Sequence, residues 1–318
     1  MSWQVPVVLR LVVAYVIAQP LIKKLTKEND ESRTQKFLLQ FLVCLLLASA
    51  FAIWSGDCNF DRNARVLFAV GIANAFGAFC QWKSIGYSLS KNALFTVWDD
   101  IIAMTLCFTV LHEGKFLNPW IIAGIVTSFI AIVCFFRHGW RKMQKAETSG
   151  SAESNSSTPP AFYACVAGYS IIWGVAVFLM RKFAVEGVSL GTFLVGWYGG
   201  AATGAMLIFL AGVELNPKCT QPLTKKSIQW TCVLSVSIIA SLLLQYWSLR
   251  KAPLVIVQPI FLTGEMIIPA LIGLYFFKEK KDLDKAERWY FAIGITGGIL
   301  LFAHDALQQL ATRLIAWF

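Results

Sequence analysis

Charge is scarce in this chain. Only 14% of its 318 residues are Asp, Glu, Lys or Arg, and 57% are hydrophobic; a soluble domain carries roughly a quarter charged residues. With a mean hydropathy of +0.61, there are too few polar groups to cover a surface in water. Histidine is scarcer still. His112, His138 and His304 are scattered, with no CxxC pair or zinc spacing beside them, which leaves a metal site without ligands. Walker and Gly-rich phosphate loops are missing, as is any nucleophile–base pair, so ATP-driven transport and enzymatic chemistry lack their parts and no cofactor is implied. The formal charge of +10 does not point to nucleic acid. Lys and Arg fall between apolar stretches, the pattern of charges that orient membrane helices.

What is present is long apolar sequence. A hydrocarbon core about 30 Å thick takes roughly 20 helical residues. That ruler marks ten blocks: 5–25, 37–55, 65–88, 93–112, 118–137, 161–183, 189–212, 228–249, 253–277 and 288–310. Lipid offers no partner to a bare backbone, so the blocks must be helices. Block one has its basic cluster after the apolar run (Lys23, Lys24, Lys27), which reads as a retained membrane helix rather than a cleaved signal. Six of the eight cysteines (Cys44, Cys80, Cys107, Cys134, Cys165, Cys232) lie inside blocks and read as small apolar residues. Only Cys58 and Cys219 fall in loops. Residues 138–160 start basic and turn into a Ser/Glu/Thr/Pro tract, the composition of a flexible linker.

That linker sits at mid-chain and divides two similar halves, 1–137 and 161–318. Leu21–Leu25 matches Leu179–Phe183 at an offset of 158, and Phe37-Leu38 matches Phe193-Leu194 at 156. Gln81–Ile85 matches Gln245–Leu249 at 164, His112-Glu113 matches Lys278-Glu279 at 166, and Trp120 and Ala123 match Trp289 and Ala292 at 169. Five matches in order indicate a duplication. Five helices per half is odd, so the second half enters from the opposite side. The expected fold is all-α: ten transmembrane helices as two inverted five-helix repeats, with a site near the midplane between them.

Three stretches carry a family likeness: Trp173-Gly174 leading to Arg181-Lys182; Gln245 through Pro253; and fourth helices that end in Glu113-Gly114 or Glu279-Lys280. On these the chain resembles the EamA-type, ten-helix branch of the drug/metabolite transporter superfamily over nearly its whole length. The first half departs from the pattern, with Asn92 where a proline opens the fourth helix. The resemblance implies a carrier of a small polar metabolite, such as an amino acid or amine, working by alternating access in a cell or inner membrane. A lipid flippase or a structural membrane subunit is the alternative.

An ionised side chain at mid-membrane costs about 2.5–3.5 kcal/mol on insertion scales, so each one invites a functional reading. Asp99 and Asp100 lie in block four and Glu265 in block nine; Asp99 and Glu265 each precede their repeat-matched glutamates by 14 residues. These acids are expected to bind a cationic group or a coupling proton, or else to pair structurally with Arg10 or Lys83. Gln81 and Gln245 are repeat mates, as are Tyr15 and Trp173, and with Tyr169, Gln258 and Trp98 they are the expected lining. Trp98, next to the acids, is the candidate for a cation–π wall.

Glycines at four-residue steps (Gly196, Gly200, Gly204; Gly294, Gly298) give smooth helix faces, either for an internal neighbour or for a second copy of the chain. Pro253, Pro259 and Pro269 allow block nine to bend around Glu265. About 18 Lys and Arg follow odd-numbered helices against about 7 after even ones, which by the positive-inside rule places both termini outside. The family likeness implies termini inside.

Overall fold

The computed structural model describes residues 3–27, 31–59, 61–95, 97–116, 119–149, 160–213, 221–278 and 284–315. The described residues are 89% helical and contain no strand; among them an isolated bridge joins Glu31 to Gln221. In chain order the helices are α1 Gln4–Thr26, α2 Arg33–Ser55, α3 Arg62–Tyr87, α4 Leu89–Val110, α5 Pro119–Ser149, α6 Pro160–Val185, α7 Leu190–Leu210, α8 Lys225–Lys251, α9 Leu254–Leu271, α10 Lys285–Phe302 and α11 His304–Ile315. Counted over the described residues, eight of them, α1–α4 and α6–α9 (α9 with its continuation to Phe276), are long and apolar enough to cross a membrane. The chain is a multi-pass integral membrane protein.

Two expected blocks differ in extent. The fifth block, expected at 118–137, is continued as helix: α5 runs on to Ser149. Its 138–149 portion was expected to be linker. Arg, Lys, Met, Gln, Ala and Glu dominate there, all strong helix formers, and they carry the rod forward. Residues 150–159 lie outside the described residues. The block expected at 288–310 divides at Ala303, after which His304 begins α11.

Helix starts are set by short polar side chains that accept from free backbone N–H groups. Ser32 caps α2, Asp61 α3, Ser189 α7 and Thr224 α8. Asp284 and Glu287 form a reciprocal capping box on α10. Two non-glycine residues among those described have left-handed backbone, His112 (φ 53°) and Lys278 (φ 59°). They are 166 residues apart, the offset at which their sequences match.

The packing is paired in a regular way. Helix α3 packs on α7, and α8 on α2; α3 on α6, and α8 on α1; α4 on α6, and α9 on α1; α1 on α3, and α6 on α8. Three pairs, α2–α7, α4–α9 and α5–α10, pack on each other. Adding or subtracting five from the helix numbers returns the same list.

The glycine faces are filled within the chain. A Cβ at Gly204 would lie 2.7 Å from the Ala75 Cβ, one at Gly196 would lie 2.8 Å from the Leu67 Cβ, and one at Gly200 would strike the Phe68 carbonyl. All three thus seat α7 on α3. Gly294 is buried in α10, and a Cβ at Gly298 would lie 3.7 Å from Thr263 of α9. At Gly196, Gly200, Gly204 and Gly298 the neighbour is thus another helix of the same chain.

Helix ends are tied in two sets. In the first, Lys23 Nζ donates to the carbonyls of Ile85 (3.1 Å), Gly86 (3.2 Å) and Tyr87 (3.3 Å). Lys36 donates to the Leu25 carbonyl at 3.3 Å and pairs with Glu31 at 2.9 Å. Glu31 also accepts from Thr224 N at 3.0 Å and from Ser227, and His138 meets Asp284 at 2.8 Å. In the second set, Ser189 donates to the Asp57 carbonyl at 2.7 Å and Asn59 N to Thr192 at 2.8 Å. Arg181 pairs with Glu113 at 2.8 Å and donates to the Leu249 carbonyl, while Glu113 accepts from Leu254 N at 3.1 Å.

Candidate functional site

The first helix departs from α geometry from Val12 to Ala18, where it widens into a π turn. In a regular α-helix residues five apart point about 140° away from each other. The π turn brings them nearly into line, and Arg10 donates to the Tyr15 hydroxyl at 2.9 Å. Tyr15 in turn donates to Glu265 Oε2 at 2.9 Å, and Gln19 donates to Glu265 Oε1 at 3.3 Å. The Arg10 guanidinium also lies 3.8 Å from the Phe261 ring centroid, a cation–π contact with the same helix that bears Glu265. A chain of contacts thus joins the one buried arginine of α1 to the one acid of α9.

Around this network is a cavity of about 110 Å³, lined by residues from α1, α2, α3, α6, α7, α8 and α9. Arg10, Tyr15, Gln81, Tyr169, Trp173, Gln245 and Glu265 all face it, so seven of the expected residues converge. The repeat mates Gln81 and Gln245 share its wall, as do Tyr15 and Trp173. Tyr169 and Trp173 are stacked with centroids 6.4 Å apart. Several polar atoms here are buried without a hydrogen-bond partner: Arg10 Nε, Gln19 Oε1, Gln40 Oε1 and Gln245 Nε2. A buried polar group left unmatched is costly, and such atoms around a cavity are where a polar guest gains most.

Asp99, Asp100 and Gln258 stand behind the wall. Both acids are 1% exposed. Gln258 donates to Asp100, and neither carboxylate oxygen of Asp99 meets a donor from another side chain. Gly174 makes this depth accessible to α6, since a Cβ there would lie 2.7 Å from the Asp99 carbonyl.

Two expected residues are elsewhere. Trp98 faces outward into a separate apolar groove of about 470 Å³, lined by Phe95, Ile102, Val133, Tyr163 and Ile171 among others, and stands edge-on to Phe129 with centroids 5.0 Å apart. Its neighbours are apolar, so it forms no wall of the central cavity. Lys83 sits beside Cys80 and Cys165 and does not line the cavity. Sequence reasoning missed Gln19, Gln40, Asn74, Trp82, Trp197 and Tyr198, which all face the cavity. Uncharged amides inside apolar blocks would have flagged three of them, and Gln19 lies one helical turn beyond Tyr15. Among the described residues, no three His, Cys, Asp or Glu side chains are grouped to hold a metal ion. Cys219 and Glu279 lie outside the described residues.

No family model and no curated protein matches the chain. Among solved structures, a crystal structure of a protein described no further is similar over 94% of this chain and 95% of its own, with a TM-score of 0.57 and 14% identity. The likeness is one of fold.

Proposed function

We propose that the chain is a secondary carrier of a small polar solute, bound in the cavity between Arg10, Tyr15, Glu265 and the glutamines Gln81 and Gln245. The observation that carries this reading is a polar, partly unsatisfied cavity in the interior of a bundle of membrane helices. Soluble solutes need such a place to leave water, and membrane proteins do not keep ionisable interiors without a use for them. Glu265, which faces the cavity, is suited to hold a cationic group of the solute or a coupling proton, and Asp99 and Asp100, buried behind the wall, to hold a coupling proton.

Several features support two inverted five-helix repeats, with α5 and α10 as the ninth and tenth spans. The packing list is unchanged by a shift of five, and His112 and Lys278 share an unusual backbone at the repeat offset. Each set of end contacts joins helix ends that ten alternating crossings would put on one face. An inverted pair of this kind holds its site at the midplane and works by rocking one repeat against the other. The resemblance to EamA-type drug/metabolite transporters points the same way. The excess of Lys and Arg after odd-numbered helices favours termini outside.

The test is a thermal-shift screen of the purified protein against polar metabolites, since a guest that binds the folded state raises its melting temperature. A hit should then be taken up saturably by proteoliposomes, and Glu265→Gln and Asp99→Asn should weaken uptake or change its pH dependence. Unchanged affinity and pH dependence in both variants would remove the acids from the mechanism. The lateral groove beside Trp98 favours a second reading, a flippase for an amphiphile whose tail lies there. It predicts movement of labelled lipid between leaflets and no saturable uptake of a soluble solute.

A further inference from the structure

Cys80 of α3 and Cys165 of α6 are free thiols on two helices that pack against each other. Gly168, less than one turn beyond Cys165, faces Cys80: a Cβ there would lie in ordinary contact with the Cys80 sulfur, at 3.6 Å. Both cysteines are partly exposed and neither is in a disulfide. Lys83 lies close enough to act electrostatically on both. The two sulfurs come from opposite halves of the chain, and nothing in the solute site uses them.

We infer that Cys80 and Cys165 are a modification site, a dithiol that hydrogen peroxide converts to a disulfide joining α3 to α6. Attack by one thiolate sulfur on the peroxide oxygen breaks the O–O bond, gives a sulfenic acid and releases water. The second thiol then displaces the sulfenic oxygen as a further water and forms the S–S bond. Two thiols are oxidised and one peroxide is reduced to two waters. The attacking species is an anion, and the Lys83 ammonium provides a positive charge next to it. A resolving thiol on the facing helix makes the second step faster than further oxidation of the first.

The bond would fix one helix of the first half to one of the second. Resting on the carrier reading above, it would also stop the halves from rocking and arrest uptake until a dithiol reductant is added.

The test uses the purified full chain treated with hydrogen peroxide, followed by intact-mass and peptide mapping. The expected result is the loss of two hydrogens, a Cys80–Cys165 cross-linked peptide that dithiothreitol releases, and no such product in Cys80→Ser or Cys165→Ser. The Cys58→Ser variant should cross-link as the natural chain does, and Lys83→Gln should do so several-fold more slowly. Free, alkylatable Cys80 and Cys165 after treatment, or separate sulfinic acids on each, would overturn the site. Complete cross-linking with uptake unchanged would overturn the arrest and leave the site standing. Absence of any saturable uptake in the reduced protein would count against the carrier reading instead.

Discussion

Lys23 and Arg181 do the same thing at opposite ends of the bundle. Each is the basic residue near the end of the first helix of its half. Lys23 donates to the carbonyl of Ile85 and Arg181 to that of Leu249, two carbonyls matched at the repeat offset of 164. Each cation thereby caps the C-terminal turn of a neighbouring helix, where free carbonyls and the helix dipole favour positive charge. Lys36 and Glu31 tie the Lys23 end of α1 to the start of α8, whereas Arg181 binds at the finish of α8. That helix has 27 residues, so the two ends so tied are about 40 Å apart at 1.5 Å per residue.

Arg181 also depends on Glu113, which is itself held by Leu254 N. Glu113→Ala removes the counter-ion and leaves a largely buried guanidinium. Breaking one partner of such a pair costs about 3 kcal/mol or more, so thermal unfolding in micelles should show a drop of several degrees. Arg181→Met in the same chain should return part of that loss, because the stranded charge is gone. It should not return all of it, because the Leu249 carbonyl loses its donor as well.

His112 and Lys278 are strained in a way that glycine relieves. A left-handed conformation just past a helix end costs a side-chain-bearing residue about 1 kcal/mol relative to glycine. His112→Gly and Lys278→Gly should each stabilise the folded protein by about that amount, and the double variant should gain close to the sum. His112→Ala should give no gain, since alanine keeps the clash. Thermal unfolding of the four variants beside the natural chain checks this.

Much of this architecture can be read from residue order, for identifiable reasons. Hydrophobic length fixes where helices are, and offsets between halves bring out the partners Gln81 and Gln245. The π turn at Val12–Ala18 leaves no trace in hydropathy, because every residue from Val12 to Ala18 except Tyr15 is small or aliphatic. So the hydrogen bond from Arg10 to the Tyr15 hydroxyl could not be foreseen. Trp98 was placed by its nearness in sequence to Asp99, but successive helical positions differ by about 100°, and in lipid an outward-facing tryptophan looks as apolar as an inward one. Gln40 and Asn74 were overlooked because uncharged amides interrupt an apolar run only weakly.

The seam between α7 and α3 gives a sharper test of packing, because two adjacent glycines should behave differently. A Cβ at Gly200 would meet the Phe68 carbonyl, and backbone cannot swing aside. One at Gly199 would lie 3.5 Å from the Phe68 ring, an ordinary contact. Gly200→Ala should therefore cost about 2–3 kcal/mol by overpacking, whereas Gly199→Ala should be nearly neutral or slightly stabilising through helix propensity. Equal effects at both positions would mean that the two helices are not seated on this face.

Glu31 gives the protein a predictable sensitivity to acid. Burial alone would raise its carboxyl, but hydrogen bonds from Ser227, Lys36 and Thr224 outweigh burial and draw it down from an ordinary 4.5 to about 2. The folded state thus prefers the ionised form more than the unfolded chain does. For a depressed carboxyl the stabilisation is complete above about pH 4.5 and disappears as pH falls toward 2. Comparing the natural chain with Glu31→Gln isolates this contribution from those of other acids. The difference in melting temperature should be constant from pH 7 to 5, shrink below 4.5 and approach zero near 2. A difference that stays constant through that window would show that the tie between the first loop and the start of α8 does not depend on charge. The hydrogen bonds to Ser227 and Thr224 would then be holding those helices together as neutral contacts.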